Sequence, residues 1–494
     1  MSDYNVHKKN DFFSFRPRVR LTSFCNRNCR YCFAKEYLSK GEKSGEIDLN
    51  SMEEILYQCS EEGIRGIGWQ GGEPTLHTRI KEIIELHKKY SVKATVFTNG
   101  LVEKEVIESL SGIIDSVLVN CNEPGSYDGD ELERLLNNIR LMQKLYGTEK
   151  VAIGINIYSA QMDTSFILDY ALQLGINEVR IDITRPSPSN KNLFIEWEKI
   201  GETFDLAKKT HEILCKNSIK YVHFDCPFPF CALSEGDIQY VWDHMNSDLG
   251  HGQCSTALDI SSDSRITSCF CSMQFEGIAT SDFSSLTHAW LFIKYLEDYV
   301  KWNTHTKEDC MECIYSKRRL CQGGCLGYKL NENSVNSRDI LFSQKKLYER
   351  AKIVSKLLIL YRKGKIQECY DESKKMLKKQ DLAEEVEKIY LLCAIYLNKN
   401  EDYQDRANYL LKKSYYPALD AFCYASALKE NGFLDIAINI ACSGLELEKN
   451  KMNGKHKIYY FLYEAYMKKN ETEKAYLYLI RFFKSSPKLN KKLL

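Results

Sequence analysis

The feature that most constrains this chain is a short loop with three cysteines, Cys25, Cys29 and Cys32, in the spacing C-x3-C-x2-C. Iron–sulfur clusters are normally held by four cysteine thiolates, so three thiolates can bind three irons of a cubane and leave the fourth iron without a protein ligand. A structural zinc site is the alternative, but such sites use well-separated cysteine pairs and fill all four positions. The spacing therefore favours an iron–sulfur site that is open to a small molecule.

A second motif, Gly71-Gly72-Glu73-Pro74, comes later in the chain. Glycines allow a backbone to approach a ligand closely, and the carboxylate beside them can bind an ammonium group. The same residues also make a good turn between a strand and a helix, so the motif alone would be a weak signal. Both motifs follow predicted strands, at 18–22 and 64–69, and functional residues of α/β barrels lie at the carboxyl ends of strands.

Together the two motifs resemble those of the radical S-adenosylmethionine (SAM) superfamily, whose hallmarks are C-x3-C-x-aromatic-C and GGEP. Tyr31 is the aromatic residue in this chain. The resemblance implies that the open iron chelates SAM, while Glu73 and the glycine backbone bind its amino group. It also implies that one-electron reduction of SAM releases methionine and a 5′-deoxyadenosyl radical, which abstracts hydrogen from a substrate.

Polar residues at the ends of later strands add weaker signals. Thr98-Asn99-Gly100 resembles a segment often found there in the superfamily, and Asn120 and Asn156 stand where relatives hold the ribose and carboxylate of SAM. Each of these residues could equally be a turn or rim residue. The sequence identifies no catalytic acid or base. The expected cofactor-binding residues are Tyr31, Phe33, Gly71, Gly72, Glu73, Pro74, Asn120 and Asn156.

The predicted fold class is α/β, with a partial (β/α)6 TIM-like barrel at 17–225 after an N-terminal tail at 1–16. Six apolar strands, ending with 151–157 and 178–183, alternate with amphipathic helices. Short joints between such units imply a parallel sheet with helices outside it. A further helix at 197–217 and a short strand at 221–224 are predicted after the sixth unit.

A second group of cysteines occupies the predicted domain at 226–335. Taken alone, its pattern could belong to a zinc ribbon. Beside the first two motifs it resembles the SPASM extension, which implies two auxiliary [4Fe–4S] clusters. One would use Cys254, Cys269 and Cys325, and the other Cys310, Cys313 and Cys321. The expected metal ligands of the whole chain are therefore Cys25, Cys29, Cys32, Cys254, Cys269, Cys310, Cys313, Cys321 and Cys325.

This second group departs from the SPASM pattern. Ser264 stands in place of the usual glycine, and seven residues rather than five separate Cys313 from Cys321. No further cysteine follows Cys325 until Cys369, which has a plain interpretation as a small packing residue. Each auxiliary cluster consequently lacks an assigned fourth ligand, and one iron could be open to substrate or another donor. The candidates for the missing ligands are Cys226, Cys231 and Cys271.

The remainder, 340–494, is predicted to form an all-α domain of tetratricopeptide (TPR)-like helical repeats. Residues 456–487 fit the repeat register, and four helical hairpins would stack as a short solenoid. Residues 341–494 contain 30 Lys and Arg against 19 Asp and Glu, a net charge of +11. A basic solenoid could attract an acidic partner, although an ordinary solvated surface would carry the same charge.

The whole chain has 494 residues and a formal net charge of +1, which suits two or three domains. The start of the chain does not resemble a signal peptide, and no run of 18 apolar residues predicts a membrane span. Fifteen of the 19 cysteines precede residue 330 and fall into clusters, which indicates metal sites in a reducing compartment rather than disulfides. We therefore expect a cytoplasmic protein without membrane or nucleic-acid partners.

The leading functional hypothesis is a radical SAM oxidoreductase that modifies a peptide or protein, for example by forming a thioether or carbon–carbon crosslink. Solenoid repeats present extended surfaces for chain segments, which favours a macromolecular substrate. An external electron donor of the flavodoxin or ferredoxin type would be needed. Two alternatives are an anaerobic sulfatase-maturating enzyme that forms formylglycine and a zinc-stabilised TPR interaction protein.

Overall fold

A computed structural model describes residues 15–35, 37–38, 45–188, 190–224, 226–244, 254, 256–274, 278–317, 321–330, 344–377, 383–399, 402–414, 417–448 and 455–485. These residues belong to two compact units. The N-terminal unit contains Phe15–Lys317 and Cys321–Gln344, and the C-terminal unit contains Lys345–Leu494.

The N-terminal unit is built on one ten-stranded sheet, in which the strand order is β10-β9-β8-β1-β2-β3-β4-β5-β6-β7. Strands β1 to β7 are parallel, and each pairs with the next along the chain. The strands are β1 (Arg18–Thr22), β2 (Gly66–Gly71), β3 (Lys93–Thr98), β4 (Ile114–Asn120), β5 (Val151–Ile157), β6 (Glu178–Ile183), β7 (Tyr221–Phe224), β8 (Asp259–Ile260), β9 (Arg265–Thr267) and β10 (Ile278–Ala279).

Amphipathic helices follow the first six strands and bury one face each. In α2, for example, Ile80, Ile83, Ile84 and His87 are buried, while the charged residues between them, Lys81, Glu82 and Glu85, are exposed. The helices of this unit are α1 (Leu49–Glu61), α2 (Ile80–Tyr90), α3 (Lys104–Leu110), α4 (Glu131–Tyr146), α5 (Ser165–Leu174), α6 (Ile200–Lys216), α7 (Glu235–His244), α8 (Leu286–Asn303), α9 (Ile314–Lys317) and α10 (Leu326–Lys329).

The prediction of a mixed α/β fold with a parallel sheet is confirmed, and the open parallel sheet is consistent with a partial barrel. Strands β5, β6 and β7 begin and end at the predicted residues. The predicted barrel had six units, and the strand predicted at 221–224 was given no place in its sheet. The observed sheet has a seventh parallel strand at one edge. At the other edge it has three short strands from the cysteine-rich segment, residues 226–335.

The core between β2 and α2 contains a buried pair of aromatic side chains. The indole N–H of Trp69 donates to Nε2 of His87 at 3.0 Å, and Nδ1 of His87 lies 2.7 Å from the Val92 carbonyl. Both rings are almost completely buried. Burial lowers the pKa of His87 to about 4, so the ring is neutral at ordinary pH.

Strand β8 pairs in parallel with β1 on the side away from β2, where a buried carboxylate joins the two strands. Asp259 on β8 is 1% exposed. It accepts hydrogen bonds from Arg18 and from Nη2 of Arg20, the latter at 3.3 Å. The guanidinium of Arg20 also lies 3.7 Å from the centre of the Phe270 ring. These contacts attach the cysteine-rich segment to the first strand of the sheet.

The C-terminal unit is helical throughout its described part, which confirms the predicted helical region. Its helices are α11 (Gln344–Arg362), α12 (Ile366–Met376), α13 (Ala383–Tyr396), α14 (Tyr403–Lys413), α15 (Pro417–Glu430), α16 (Leu434–Leu447), α17 (Lys455–Lys468) and α18 (Thr472–Ser485). The TPR-like architecture stays a prediction. Across the described residues, no helix combines the length and apolar character that a membrane crossing requires.

Helix packing in the described part of the C-terminal unit uses small side chains and a buried ion pair. Cys369, Ala407, Ala437 and Ala475 are all 0% exposed, as expected for positions where helices approach closely. The Cys369 thiol donates to the Leu357 carbonyl at 3.2 Å. Between α13 and α15, Nζ of Lys388 lies 3.1 Å from a carboxylate oxygen of Asp420, and both side chains are less than 10% exposed.

Candidate functional site

The loop that carries the first three cysteines leaves the carboxyl end of β1. It turns tightly, because the Cys32 N–H donates to the Cys29 carbonyl at 3.1 Å. All three side chains are half-buried. Burial raises the pKa of Cys25 to about 11 and that of Cys32 to about 12. Metal binding would therefore have to displace the thiol protons, as is usual for cysteine ligands.

The GGEP turn packs directly against this cluster loop. The Gly72 N–H donates to the Thr22 carbonyl at 2.7 Å, and the Glu73 N–H donates to the Phe24 carbonyl at 2.8 Å. A β-carbon on Gly71, whose φ is +138°, would lie 2.2 Å from the Thr22 oxygen. A β-carbon on Gly72 would lie 2.0 Å from the Phe24 oxygen. The glycines are thus needed for contact between two backbone segments, a reason that sequence reasoning missed.

The Glu73 carboxylate is 1% exposed and firmly held. Its Oε1 accepts from the hydroxyls of Thr75 at 2.7 Å and Thr98 at 2.9 Å, while Oε2 accepts from the Asn99 N–H at 2.8 Å. Burial raises the pKa of Glu73. Pro74 follows it as the first residue of a 3-10 turn, Pro74–Leu76. Because each carboxylate oxygen has two lone pairs, Oε2 keeps capacity for a further donor such as an ammonium group.

Asn99 connects the end of β3 to the cluster loop. Its Nδ2 donates to Oδ1 of Asn26 at 2.7 Å and lies 3.8 Å from Sγ of Cys25. The Asn26 side chain makes a second hydrogen bond, in which its Nδ2 donates to the Leu101 carbonyl at 3.2 Å. The segment Thr98-Asn99-Gly100 therefore contacts both motifs, Glu73 on one side and the cysteine loop on the other.

Three of the expected cofactor-binding residues form a hydrogen-bonded chain at the same sheet edge. Nδ2 of Asn120 donates to the Tyr31 hydroxyl at 2.8 Å, and Nδ2 of Asn156 donates to Oδ1 of Asn120. The Tyr31 hydroxyl in turn donates to Asn122, and its ring stacks on Tyr158 with centroids 5.7 Å apart. Burial raises the pKa of Tyr31, so this hydroxyl stays protonated.

Part of this arrangement is similar to a known family of proteins. Residues 19–158 match the family described as the radical SAM superfamily. This chain carries a radical SAM domain. The matched residues include the cluster loop, the GGEP turn and the ends of β3, β4 and β5. The superfamily implies SAM and a [4Fe–4S] cluster as cofactors, and a loop of three thiols beside a buried carboxylate provides suitable donors for both.

Sequence relatives match shorter segments of the chain. A probable GTP 3′,8-cyclase of Pyrococcus abyssi is 36% identical over 93 residues, which is 19% of this chain and 29% of the relative. A probable GTP 3′,8-cyclase of Thermococcus kodakarensis is 33% identical over 96 residues, or 19% of this chain and 30% of the relative. The chain thus spans less than a third of the length of these curated relatives.

Among solved structures, Streptococcus suis SuiB bound to S-adenosylmethionine is similar to this chain. The two are 17% identical, with a TM-score of 0.48, and the match covers 64% of this chain and 74% of SuiB.

Three further contacts hold the cluster loop of the radical SAM domain and were not foreseen from the sequence. The loop after β6 contacts the cluster loop through two hydrogen bonds. The Leu193 N–H donates to the Arg30 carbonyl at 2.8 Å, and Asn192 Nδ2 donates to the Tyr31 carbonyl at 3.1 Å. Separately, Arg27 forms an ion pair with Glu131 at 2.6 Å. Asn192, like Asn122 and Tyr158, lies in no motif, so no spacing in the sequence marks it.

Phe33, the residue after Cys32, directs its side chain towards the cysteine-rich segment. Its ring lies 6.1 Å from that of Phe270 in an edge-to-face contact. It also packs against a buried apolar cluster that includes Cys271, Val300 and Leu326. The side chain thus connects the radical SAM loop to the second group of cysteines, while a role for Phe33 in cofactor binding stays a prediction.

The structure gathers one set of cysteines around Cys325. The Cys325 sulfur is hydrogen-bonded to the thiols of Cys226 and Cys271, and these contacts lower the pKa of Cys325. Cys254 and Cys269 pack against the buried apolar cluster that contains Cys271, and Cys254 interacts electrostatically with Cys325 and Cys269. Gln322 fixes Cys254, because its amide donates to the Cys254 sulfur at 3.2 Å and accepts from the Cys254 N–H at 2.8 Å. The predicted trio of Cys254, Cys269 and Cys325 is therefore together, with two additional thiols beside it.

A second set of cysteines lies around Cys321. Cys310, Cys313 and Cys231 are close enough to interact electrostatically, and Cys231 also interacts with Cys321. The Gly323 N–H donates to the Cys321 sulfur at 3.3 Å. The predicted trio of Cys310, Cys313 and Cys321 is thus also together.

Neither set converges on one point. Among the described residues, no three His, Cys, Asp or Glu side chains surround a position for a single metal ion. A cubane differs from a single ion, because each cysteine binds a different iron and the sulfurs stand farther apart. Thiols are the donors that iron–sulfur clusters use, so the chemistry of both sets fits such clusters, whose presence stays a proposal.

Proposed function

We propose that this chain is a radical SAM enzyme that modifies a peptide or protein substrate in the cytoplasm. The observation that carries the proposal is the direct contact between the three-cysteine loop and the GGEP turn at the carboxyl edge of the parallel sheet. When bound, the cluster and SAM would supply one-electron chemistry: with an electron from a flavodoxin- or ferredoxin-type donor, SAM would be cleaved to methionine and a 5′-deoxyadenosyl radical able to take a hydrogen atom from the substrate.

The residues of the chain position the reactants for this step. Cys25, Cys29 and Cys32 would hold the cluster, and the fixed Glu73 carboxylate would accept a hydrogen bond from the SAM ammonium group. Asn120 and Asn156, which are hydrogen-bonded to each other, would bind the ribose and carboxylate of SAM, and Asn120 is also held by Tyr31. Preorganised donors and acceptors of this kind lower the barrier because they need no rearrangement when the reactants arrive.

The first test is SAM cleavage by anaerobically reconstituted protein with a strong reductant. We expect 5′-deoxyadenosine and methionine in equal amounts. Cys29→Ala should abolish both products, because the cluster would lose one of its three ligands. Cys215→Ala is the matched control, since Cys215 is an exposed thiol on α6 outside both motifs. Undiminished product from Cys29→Ala would contradict the proposal.

A macromolecular substrate is proposed because the helical C-terminal unit adds surface beyond the unit that contains the cluster loop and the GGEP turn. Its residues 341–494 carry a net charge of +11, which suits an acidic segment of the substrate. A chain ending near residue 345, the boundary of the N-terminal unit, should still cleave SAM but bind its substrate more weakly. Titrations at low and high salt would test this, because screening weakens attraction between exposed charges. Equal affinity of the full and shortened chains would refute recruitment.

The product distinguishes the enzyme hypotheses. A thioether or carbon–carbon crosslink removes a pair of hydrogen atoms from the peptide, whereas formylglycine formation replaces a cysteine or serine side chain with an aldehyde. Because oxidation of a serine to formylglycine also removes two hydrogen atoms, fragment-ion mass spectrometry with a carbonyl-specific reagent, applied to candidate peptides encoded beside the gene, separates these outcomes. Zinc in place of iron and sulfide in anaerobically purified protein would instead support the interaction-protein alternative.

A further inference from the structure

Cys231 belongs to a short turn whose position is fixed by its neighbours. The 3-10 turn Phe230–Ala232 follows Pro229, which limits the backbone conformations of this loop. The Ala232 carbonyl packs on the first turn of α6, where a β-carbon on Gly201 would lie only 2.8 Å from its oxygen. The turn is therefore held against the radical SAM domain and not free to move as an isolated loop.

The same turn also contacts the segments that carry the second set of cysteines. The Phe230 ring meets the Tyr315 ring edge to face, with centroids 5.5 Å apart. Pro229 packs on Gly324, where an added β-carbon would lie 3.2 Å from the proline ring. The Phe230 N–H donates a hydrogen bond to the Cys321 sulfur. Three separate contacts thus place Cys231 beside Cys321 and the helix that follows Cys313.

The thiols around Cys231 are those of Cys310, Cys313 and Cys321. Partial burial of the Cys231 thiol, together with the charges of these three neighbours, raises its pKa to about 11. Cys321 is buried whereas Cys231 is exposed, so Cys231 lies on the solvent side of the set. No other cysteine occupies this place in the described structure, since Cys226 and Cys271 contact Cys325 instead.

A buried cation compensates the negative charge that four thiolates would bring here. The Lys329 ammonium group is 2% exposed and donates to the carbonyls of Lys301 and Thr304. Burial lowers the pKa of Lys329 to about 8, while Cys321 and Cys310 act in the opposite direction. A charge buried so close to sulfur stabilises an anionic cluster, because attraction is strong where water is excluded.

We propose that Cys231 is the fourth protein ligand of an auxiliary [4Fe–4S] cluster held by Cys310, Cys313 and Cys321. This inference rests on the auxiliary-cluster part of the proposed function. It assigns a ligand that lies about 80 residues before the other three, in place of the missing cysteine after Cys325. All four irons of this cluster would be bound by protein, so the cluster would have no site for substrate.

The experiment uses full-length chain in which Cys25, Cys29 and Cys32 are all alanine, so that only auxiliary clusters remain. Iron, acid-labile sulfide and the electron paramagnetic resonance (EPR) spectrum after reduction are measured. We expect about eight irons per chain in this background and about four after adding Cys231→Ala. Adding Cys310→Ala alone to the same background should cause the same loss of iron. The two substitutions together should remove no more iron than either one alone. Cys215→Ala is the control.

The outcomes separate this inference from the proposed function. A background chain that folds without iron contradicts the auxiliary clusters themselves. A background chain with iron, sulfide and a spectrum that Cys231→Ala leaves unchanged overturns the assignment of Cys231 alone. If Cys231→Ala prevents folding, judged by loss of a cooperative thermal transition, Cys231→Ser decides. An oxygen ligand would change the EPR spectrum of one cluster, and an unchanged spectrum would refute ligation by Cys231.

Discussion

Replacing Gly72 with alanine would separate the GGEP turn from the cluster loop. The new β-carbon would lie 2.0 Å from the Phe24 oxygen and 3.0 Å from the Cys25 nitrogen. Carbon and oxygen normally approach to about 3.3 Å, so the two segments must separate by about 1.3 Å. This displacement breaks the backbone hydrogen bonds from Gly72 to Thr22 and from Glu73 to Phe24, which measure 2.7 and 2.8 Å.

The expected cost can be divided into stability and activity. Overpacking costs about 1–3 kcal/mol and each lost hydrogen bond about 1 kcal/mol, so the free energy of unfolding should fall by about 3–5 kcal/mol. A displacement of about 1 Å between reacting groups can lower a rate about 100-fold, so 5′-deoxyadenosine formation should fall by that factor. The Gly72→Ala substitution tests the steric effect alone. The same substitution at Gly71 would add backbone strain, because the φ of Gly71 is positive.

The assay combines urea unfolding with the initial rate of 5′-deoxyadenosine formation, each normalised to bound iron. Gly112→Ala is the matched control, because a β-carbon there would meet only the end of the Lys88 side chain at 3.8 Å. A Gly72→Ala protein with normal iron content and a rate within about threefold of the unchanged chain would refute the argument that this contact aligns the two motifs.

Three further predictions concern stability. Burial lowers the pKa of His87 from 6.5 to about 4, so the neutral ring contributes fully to the free energy of unfolding above pH 6.5, and this contribution is lost as the pH falls towards 4. His87→Gln should remove up to about 3 kcal/mol of that acid sensitivity in urea titrations at several pH values. Lys388→Met should cost about 3–5 kcal/mol in thermal unfolding by stranding Asp420, and the double variant with Asp420→Leu should recover most of it. Ser264→Gly should add about 1 kcal/mol, because a left-handed backbone is costly for residues other than glycine.

Much of the sheet could be predicted because its strands are long and apolar enough to show their pattern. Val151–Ile157 and Glu178–Ile183 were predicted with their observed ends for this reason. Strands β8 and β10 have two residues each, too few for any periodicity. The partner of β8 is β1, about 240 residues earlier in the chain, and no local signal records such a pairing.

The candidate site likewise contains residues that spacing in the sequence predicts and residues that only the structure reveals. Spacing identified the cysteines of the cluster loop and Glu73, because their chemistry requires fixed residue types at fixed intervals. Asn122 and Asn192 are single polar residues in loops, and only the folded chain brings them to Tyr31. The replacement of glycine by Ser264 was visible in the sequence, but its backbone strain was not, since only the structure shows a φ of +61° there.

The pairing of β1 with β8 also determines when the first strand is complete during synthesis. Asp259, which binds Arg18 and Arg20, is made about 240 residues after them, or about 10–50 s later at typical translation rates. Until then one edge of β1 and two arginines lack their partners, and the cluster loop extends from a strand supported on one side only. Iron delivered to a ribosome-bound chain would therefore meet an unfinished site. Arrested nascent chains ending before and after residue 260 should differ in protease sensitivity at the cluster loop.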